Sequence, residues 1–356
     1  MPMRCWGGFS MWQNLSLTLI VGLFGLWAGK KLHLPVPNML GPMFAVAAFN
    51  VFTGYATIPP SIKFFTQIIN GTFIGAGIYL ADVYVLRKMI PASIVNILGM
   101  LLFGILVGCL LYAMTPYDLV TMLFSAAPGG MVDTPLISHD FGAEVGVVAV
   151  MQLVRVVTAM SIIPFVLRAI LKRQNHQRRL KEERVSRVEM KPAGFDWKNF
   201  ALSLLVGSIC GLIGILLDVP AGALIFAMIG TAVFNIFTNR GFMPAKVRSI
   251  AQLLAGSLIG SAITMQSLIQ MKSLLIPALI LAAACIIFDL LLSYIFVKFL
   301  RVDLATALFA NAAGGGADTA IMALEYNANG AAVALMHTFR MCAIILFYPI
   351  IVHLLT

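Results

Sequence analysis

Shifted by 185 residues, the chain lies on itself without a gap. Trp12 falls on Trp197, Gly22 on Gly207, Gly29 on Gly214 and Pro35 on Pro220. Phe49 and Asn50 meet Phe234 and Asn235, Gln67 meets Gln252, and Gly71 and Gly75 meet Gly256 and Gly260. Further on, Asp118 meets Asp303, Gly129 and Gly130 meet Gly314 and Gly315, Asp133 and Thr134 meet Asp318 and Thr319, and Arg155 meets Arg340. Shared apolar composition produces matches among aliphatic residues, not at prolines, glycines and polar positions. The chain is therefore a tandem duplication. Its halves are read as residues 1–171 and 199–356, joined by a linker at 172–198.

Neither half suits a soluble core. Of 356 residues, 60% are apolar and 11% charged, against about 25% charged in ordinary domains. The first half has apolar runs at 12–28, 36–52, 64–81, 90–114 and 143–171, and the second at 199–217, 221–237, 250–265, 274–300 and 328–355. Each is long enough to cross a bilayer, so the expected class is an all-α polytopic membrane protein. Residues 12–28 have the look of a signal peptide, but no small-residue cleavage site precedes Lys30 and Lys31, and the run is read as a retained helix. The net charge of +10 does not call for a nucleic acid, because nine of the 24 Lys and Arg residues lie between Lys172 and Lys198 beside four acids. A cytoplasmic loop explains that excess. The five cysteines are scattered singly, which implies neither a disulfide frame nor a metal site.

One segment per half is left over, 119–139 and 304–324. Six spans per half give parallel repeats; five spans plus a re-entrant hairpin give inverted ones. If the extra segment folds back, Lys30, Lys31, Arg87, Lys88, the linker, Arg240, Lys246, Arg248, Lys298 and Arg301 share one side, and the other receives only Arg4, Lys63 and Lys272. The inverted plan fits the positive-inside rule better, with both termini outside.

The leftover segments contain APGGMVDT and AAGGGADT. A helix over 119–127 rises about 13 Å and ends mid-bilayer. There it meets Pro128, Gly129 and Gly130, or Gly314, Gly315 and Gly316, where the backbone turns and leaves amides unpaired. In hydrocarbon such groups must be buried in protein or line a wet cavity. Asp133 and Thr134, like Asp318 and Thr319, are expected to cap the second arm. Glycine triplets also serve close packing, but a repeated Asp-Thr in an inverted frame favours a solute cavity.

Arg155 and Arg340 sit about twelve residues into apolar runs, where an arginine needs a partner or a cavity. Asp133 and Asp318 are the expected partners, either in a structural ion pair or beside a substrate. Gln152 and His337 fall one turn earlier on the same face; His337 is read either as a proton carrier or as a satisfied core histidine. Asp289 is a deep acid without a duplicate, since Gly104 takes its place. Asp133, Asp289 and Asp318 are the candidates for a coupling ion. Asn50 and Asn235 are weaker candidates of the same kind.

With APGGMVDT followed by HDFGAEVGVVAVMQLVRVV, and NAAGGGADT followed by ANGAAVALMHTFRM, the sequence resembles the AbrB-duplication family of bacterial inner-membrane proteins over nearly its whole length outside the linker. Ala313 departs from the proline usual before the glycines. The resemblance implies a multi-pass inner-membrane protein carrying one of two labels, regulator of gene expression or ammonia monooxygenase. Ammonia oxidation needs clustered His and carboxylate ligands for copper or iron, whereas His33, His139, His176, His337 and His353 are dispersed. No enzymatic activity, metal or cofactor is expected. The linker is too short and featureless for a helix-turn-helix. The plan also looks like that of sodium-coupled citrate and glutamate symporters, a likeness of fold alone.

The expectation is thus a secondary transporter or permease for a small anionic solute. It would be bound by Gly129, Gly130, Asp133, Thr134, Arg155, Gly314, Gly315, Gly316, Asp318, Thr319, His337 and Arg340. Its partners would be that small molecule or ion and the lipid bilayer, with no nucleic acid; a homodimer is compatible with this. The alternative is a membrane-embedded regulator that transports nothing.

Overall fold

A computed structural model describes residues 11–174 and 196–356, except 33, 35, 60, 266–268, 270, 313–318, 320–322, 324, 325 and 327. Every regular element among these residues is helical. The first half contributes α1 (Met11–Lys31), α2 (Pro37–Thr53), α3 (Ser61–Ala76), α4 (Leu80–Met114), α5 (Leu119–Ala126), α6 (Asp133–Asp140) and α7 (Val145–Gln174). The second contributes α8 (Trp197–Leu216), α9 (Gly222–Thr238), α10 (Ala245–Ala262), α11 (Leu275–Phe299), α12 (Leu304–Asn311) and α13 (Gly330–Leu355), with a 3₁₀ turn at Met271–Leu274 before α11.

Four of these helices carry stretches long and apolar enough to span a membrane: Pro91–Met114, Trp197–Leu216, Leu275–Phe299 and Ala332–Leu355. Their outer faces support that reading. Leu98, Leu102 and Leu106 recur at the helical spacing along α4 and are each more than half exposed. Ile287 and Leu291 do the same on α11. Rows of bare Leu and Ile over several turns are what lipid covers and water does not. α4 begins at Leu80, ahead of the apolar run at 90–114, and carries Arg87 and Lys88 in its early turns.

The halves interlock through exchanged contacts. α3 packs on α9 where Gly71 meets the Leu224 carbonyl and Gly75 the Met228 carbonyl, so closely that a Cβ at either glycine would strike backbone. α10 packs on α2 in the same way, Gly256 against the Met39 carbonyl and Gly260 against that of Met43. Asn50 Nδ2 donates to Ser261 O at 2.9 Å and Ile263 O at 3.1 Å, at the end of α10. Asn235 Nδ2 donates to Ala76 O at 2.8 Å and Ile78 O at 2.9 Å, at the end of α3. Each asparagine donates to carbonyls that a helix terminus leaves unpaired. Their role is to tie one half to the other, which replaces the ion-site reading offered for them.

Candidate functional site

The two glycine segments are built on half-helices. α5 starts at Asp118, whose Oδ2 accepts from Thr121 N at 2.9 Å; α12 starts at Asp303, whose Oδ2 accepts from Thr306 N at 2.8 Å. Both are good N-caps. α5 is eight residues long, so it rises about 12 Å before the helix breaks at 127–132. The chain then comes back: beyond α6, Glu144 N donates to Thr121 Oγ1 at 3.0 Å. The far end of α6 and the near end of α5 therefore lie together, and the segment folds back on itself. In the second half Asn329 N, at the start of α13, donates to Thr306 Oγ1 at 2.8 Å. That puts the start of α13 beside the start of α12.

A helix that stops inside the packed protein leaves its last carbonyls without partners. Here the next long helix supplies donors. α7 runs parallel to α5, and Gln152 Nε2 donates to Phe124 O at 2.8 Å and Ala127 O at 2.9 Å. One turn deeper, Arg155 Nη1 donates to Ala127 O and Nη2 to Gly129 O at 2.6 Å. From the second half, the Tyr348 hydroxyl donates to Leu123 O at 2.8 Å. α13 treats α12 in the same way. His337 Nε2 bonds Phe309 O at 2.9 Å, and Arg340 Nη1 donates to Ala312 O at 2.9 Å and more weakly to Asn311 O at 3.4 Å. Each arginine thus places positive charge at the negative end of a half-helix.

These contacts correct three expectations. Arg155 makes no ion pair with Asp133; its terminal nitrogens go to carbonyls, because those carbonyls have no water to turn to. Asp133 and Thr134 do not cap α6, whose N-cap is Val132 with no side-chain bond. Instead they fold back over the glycines. A Cβ at Gly130 would lie 2.5 Å from Asp133 Oδ2, and one at Gly129 would strike Thr134 Oγ1. Neither glycine has a left-handed φ, so close approach is what requires them. The proton-carrier reading of His337 also fails. Arg340 Nη2 lies 2.8 Å from its Nδ1, which must accept, so Nε2 holds the hydrogen and donates to Phe309 O. Both nitrogens are engaged in a neutral ring.

Arg155 (1% exposed), Arg340, His337, Asp133, Thr134, Thr319 and Asp289 are all buried. Asp289, on α11, is within electrostatic reach of both guanidinium groups, so the unduplicated acid sits with the duplicated bases. A crevice beside it is lined by Thr158, Ala159, Ile162, Cys285 and Leu308. Gly314, Gly315, Gly316 and Asp318 lie outside the described residues.

A family model described as "Transition state regulatory protein AbrB" matches residues 4–171 and again 55–356. The chain belongs to the AbrB family. It is 27% identical over 356 residues to "Putative regulator AbrB" of Escherichia coli (strain K12), covering 99% of this chain and 96% of that protein. It is 23% identical over 292 residues to "Uncharacterized protein YhjN" of Bacillus subtilis (strain 168), covering 80% and 76%.

In this AbrB-family chain the structure adds residues that the sequence reading passed over. Tyr348, Asn96, Ser293 and Asn311 are buried polar groups whose partners lie on other helices. Asp140, at the end of α6, forms an ion pair with Lys63. Its Oδ2 also accepts from Gln67 Nε2 and from Ala221 N, each at 3.0 Å. It pins the returning arm of the hairpin to α3 and to the left-handed residue that precedes α9. The available signal was a polar residue inside an apolar run. That signal does not say which helix supplies the partner.

Proposed function

We propose that this AbrB-family chain is a secondary transporter or permease of the bacterial inner membrane. On this reading it has two inverted repeats, each of five spans and a glycine-tipped hairpin, with 172–198 as a cytoplasmic linker. The exchanged Asn50 and Asn235 contacts are what a two-fold axis between such repeats would generate. A small anionic solute binds between the hairpin tips, at Gly129, Gly130, Asp133, Thr134 and Arg155 and at their counterparts Gly314, Gly315, Gly316, Asp318, Thr319 and Arg340, with His337 holding Arg340. The chain carries the solute and catalyses no oxidation.

The observation behind this reading is a leftover donor. Arg155 Nε is buried without a protein partner, beside glycine backbone at mid-depth. A buried cationic N–H is costly to leave unmet, and an anion meets it. The test is uptake of small mono-, di- and tricarboxylates by proteoliposomes. Arg340→Gln or Asp318→Asn should abolish uptake; flux unchanged in either variant would sink the proposal.

The family description and the name of the E. coli relative favour a second reading, a membrane-embedded regulator that senses a small molecule through the same site. Scrambling 172–198 at constant composition separates the two. Transport survives it, whereas signalling through the linker does not.

A further inference from the structure

Because the hairpins are copies, positions 185 residues apart should match wherever both do the same work. Around the second hairpin they do not. Asp289 stands where the first half has Gly104, Ser293 where it has Gly108, and Asn311 where it has Ala126. Asn96, which reaches α12 from α4, and Ser93, one turn before it, correspond to Leu281 and Ala278. These five polar residues are all at most 6% exposed.

Ser293, Asn311 and Asn96 are hydrogen-bonded in a row, with Asp289 and Ser93 at helical spacing beyond its two ends. Asp289 and Ser293 are one turn apart on one face of α11. Asn311 Nδ2 donates to Ser293 Oγ at 3.2 Å, and Asn96 Nδ2 donates to Asn311 Oδ1 at 2.7 Å. Ser93 is one turn before Asn96 on α4. Asn96 Oδ1 and Ser93 Oγ are buried with no protein partner, which is where ordered water belongs. At the Asp289 end, Leu290 lines the crevice and is 38% exposed.

The equivalent space in the first half is filled. A Cβ on Gly104 would lie 2.9 Å from the ring and hydroxyl of Tyr348, and that hydroxyl closes on Leu123 O. The residue matching Tyr348 in the other copy is Ile163, which has no hydroxyl to offer Leu308.

The groups facing Asp289 limit what it can bind. α7 brings Arg155 and α13 brings Arg340, the latter bonded to neutral His337. Cys285 is one turn away on the same helix. α12 brings Leu308, and α4 brings Gly99 and Phe103 against Phe288 and Leu292; none of these titrates. A metal cation would face two guanidinium groups at once. A proton meets the same repulsion until the arginines are covered, but it needs no further ligands, whereas a hard metal cation needs several oxygens and the crevice lining adds only Thr158 to the acid.

We infer that Asp289 is a proton-binding site in the bilayer core, hydrated through Ser293, Asn311, Asn96 and Ser93, and that the first half, with Gly104 in its place, has no counterpart of it. The consequence for coupling rests on the transport reading above. When an anion occupies the arginines, Asp289 loses their counter-charge and takes up a proton from the water track, so anion and proton move together.

The test is pH-difference infrared spectroscopy of the full chain in lipid, following the carboxylic acid C=O stretch. Asp289→Asn should remove a band that Asp133→Asn retains. Ser293→Ala and Asn311→Ala leave the acid in place and should move the midpoint of that band by about one pH unit. Identical spectra for wild type and Asp289→Asn would overturn the inference. If that variant does not fold, the two alanine variants decide, and an unmoved midpoint in both overturns it. Solute flux does not enter the measurement. A band without flux refutes transport and leaves the proton site standing; flux without the band does the reverse.

Discussion

Arg155 and Gln152 both donate to Ala127 O, and this shared acceptor makes a sharp test of the half-helix account. Arg155→Met keeps an apolar stem of similar length and deletes the guanidinium. Ala127 O then still has Gln152 Nε2 at 2.9 Å, so Gly129 O alone loses its donor. An orphaned buried carbonyl costs about 1–3 kcal/mol, and removing a cation from a helix C-terminus adds up to about 2 kcal/mol. In membranes the unfolded reference state also finds partners, so the expected loss is about 2–4 kcal/mol. Gln152→Leu orphans Phe124 O and costs about 1–3 kcal/mol. In the double variant Ala127 O has neither donor, a penalty that appears in neither single change. The combined loss should therefore exceed the sum of the two by about 1–3 kcal/mol. Unfolding in mild detergent titrated with a denaturing one, read by tryptophan fluorescence, measures all four proteins. Additivity within about 0.5 kcal/mol would refute the shared cap, and with it the claim that this face of α7 exists to terminate α5.

Two other perturbations check the frame that holds the hairpins. Gly71→Ala and Gly256→Ala each push a Cβ into the carbonyl of a partner helix in the other half, and thermal unfolding should show similar losses of about 1–3 kcal/mol for both; one tolerated and one lethal would argue against equivalent packing. Tyr348→Phe keeps the ring over Gly104 and orphans Leu123 O, for a loss of about 1–3 kcal/mol with no change in the infrared carboxyl band.

How much of this was legible in the sequence depended on whether a partner lay at a fixed offset. The break in the leftover segment and the Gln152/Arg155 and His337/Arg340 faces follow from helical period, glycine and the depth of a charge. The partners of those side chains did not follow. Pairing by charge nominated Asp133 for Arg155, yet in hydrocarbon a severed helix end offers a stronger claim than a carboxylate that can turn elsewhere. The apolar run at 90–114 matches the span Pro91–Met114, and α4 extends ahead of it through Arg87 and Lys88 because proline near the start of a span does not stop the turns that precede it. Asn311 was passed over because one amide in an apolar run has no period to announce it, and its meaning appears only when α4 and α11 bring Asn96 and Ser293 to it.

The duplication itself must be read the other way round from first sight. The repeated glycines, arginines and capping aspartates are what any half-helix needs to end inside a membrane: room for the turn, a donor for each stranded carbonyl, and a cation at the negative pole. Both copies keep them because neither hairpin can exist without them, whatever it does. Repetition is therefore weak evidence for solute contact. Where the hairpin would stand equally well with Gly104, Gly108 and Ala126, as the first copy demonstrates, the second buries Asp289, Ser293 and Asn311. Burying three polar groups costs free energy that structure alone does not require. It is at the differences between the copies, more than at their shared motif, that the chemistry of this AbrB-family chain should be sought.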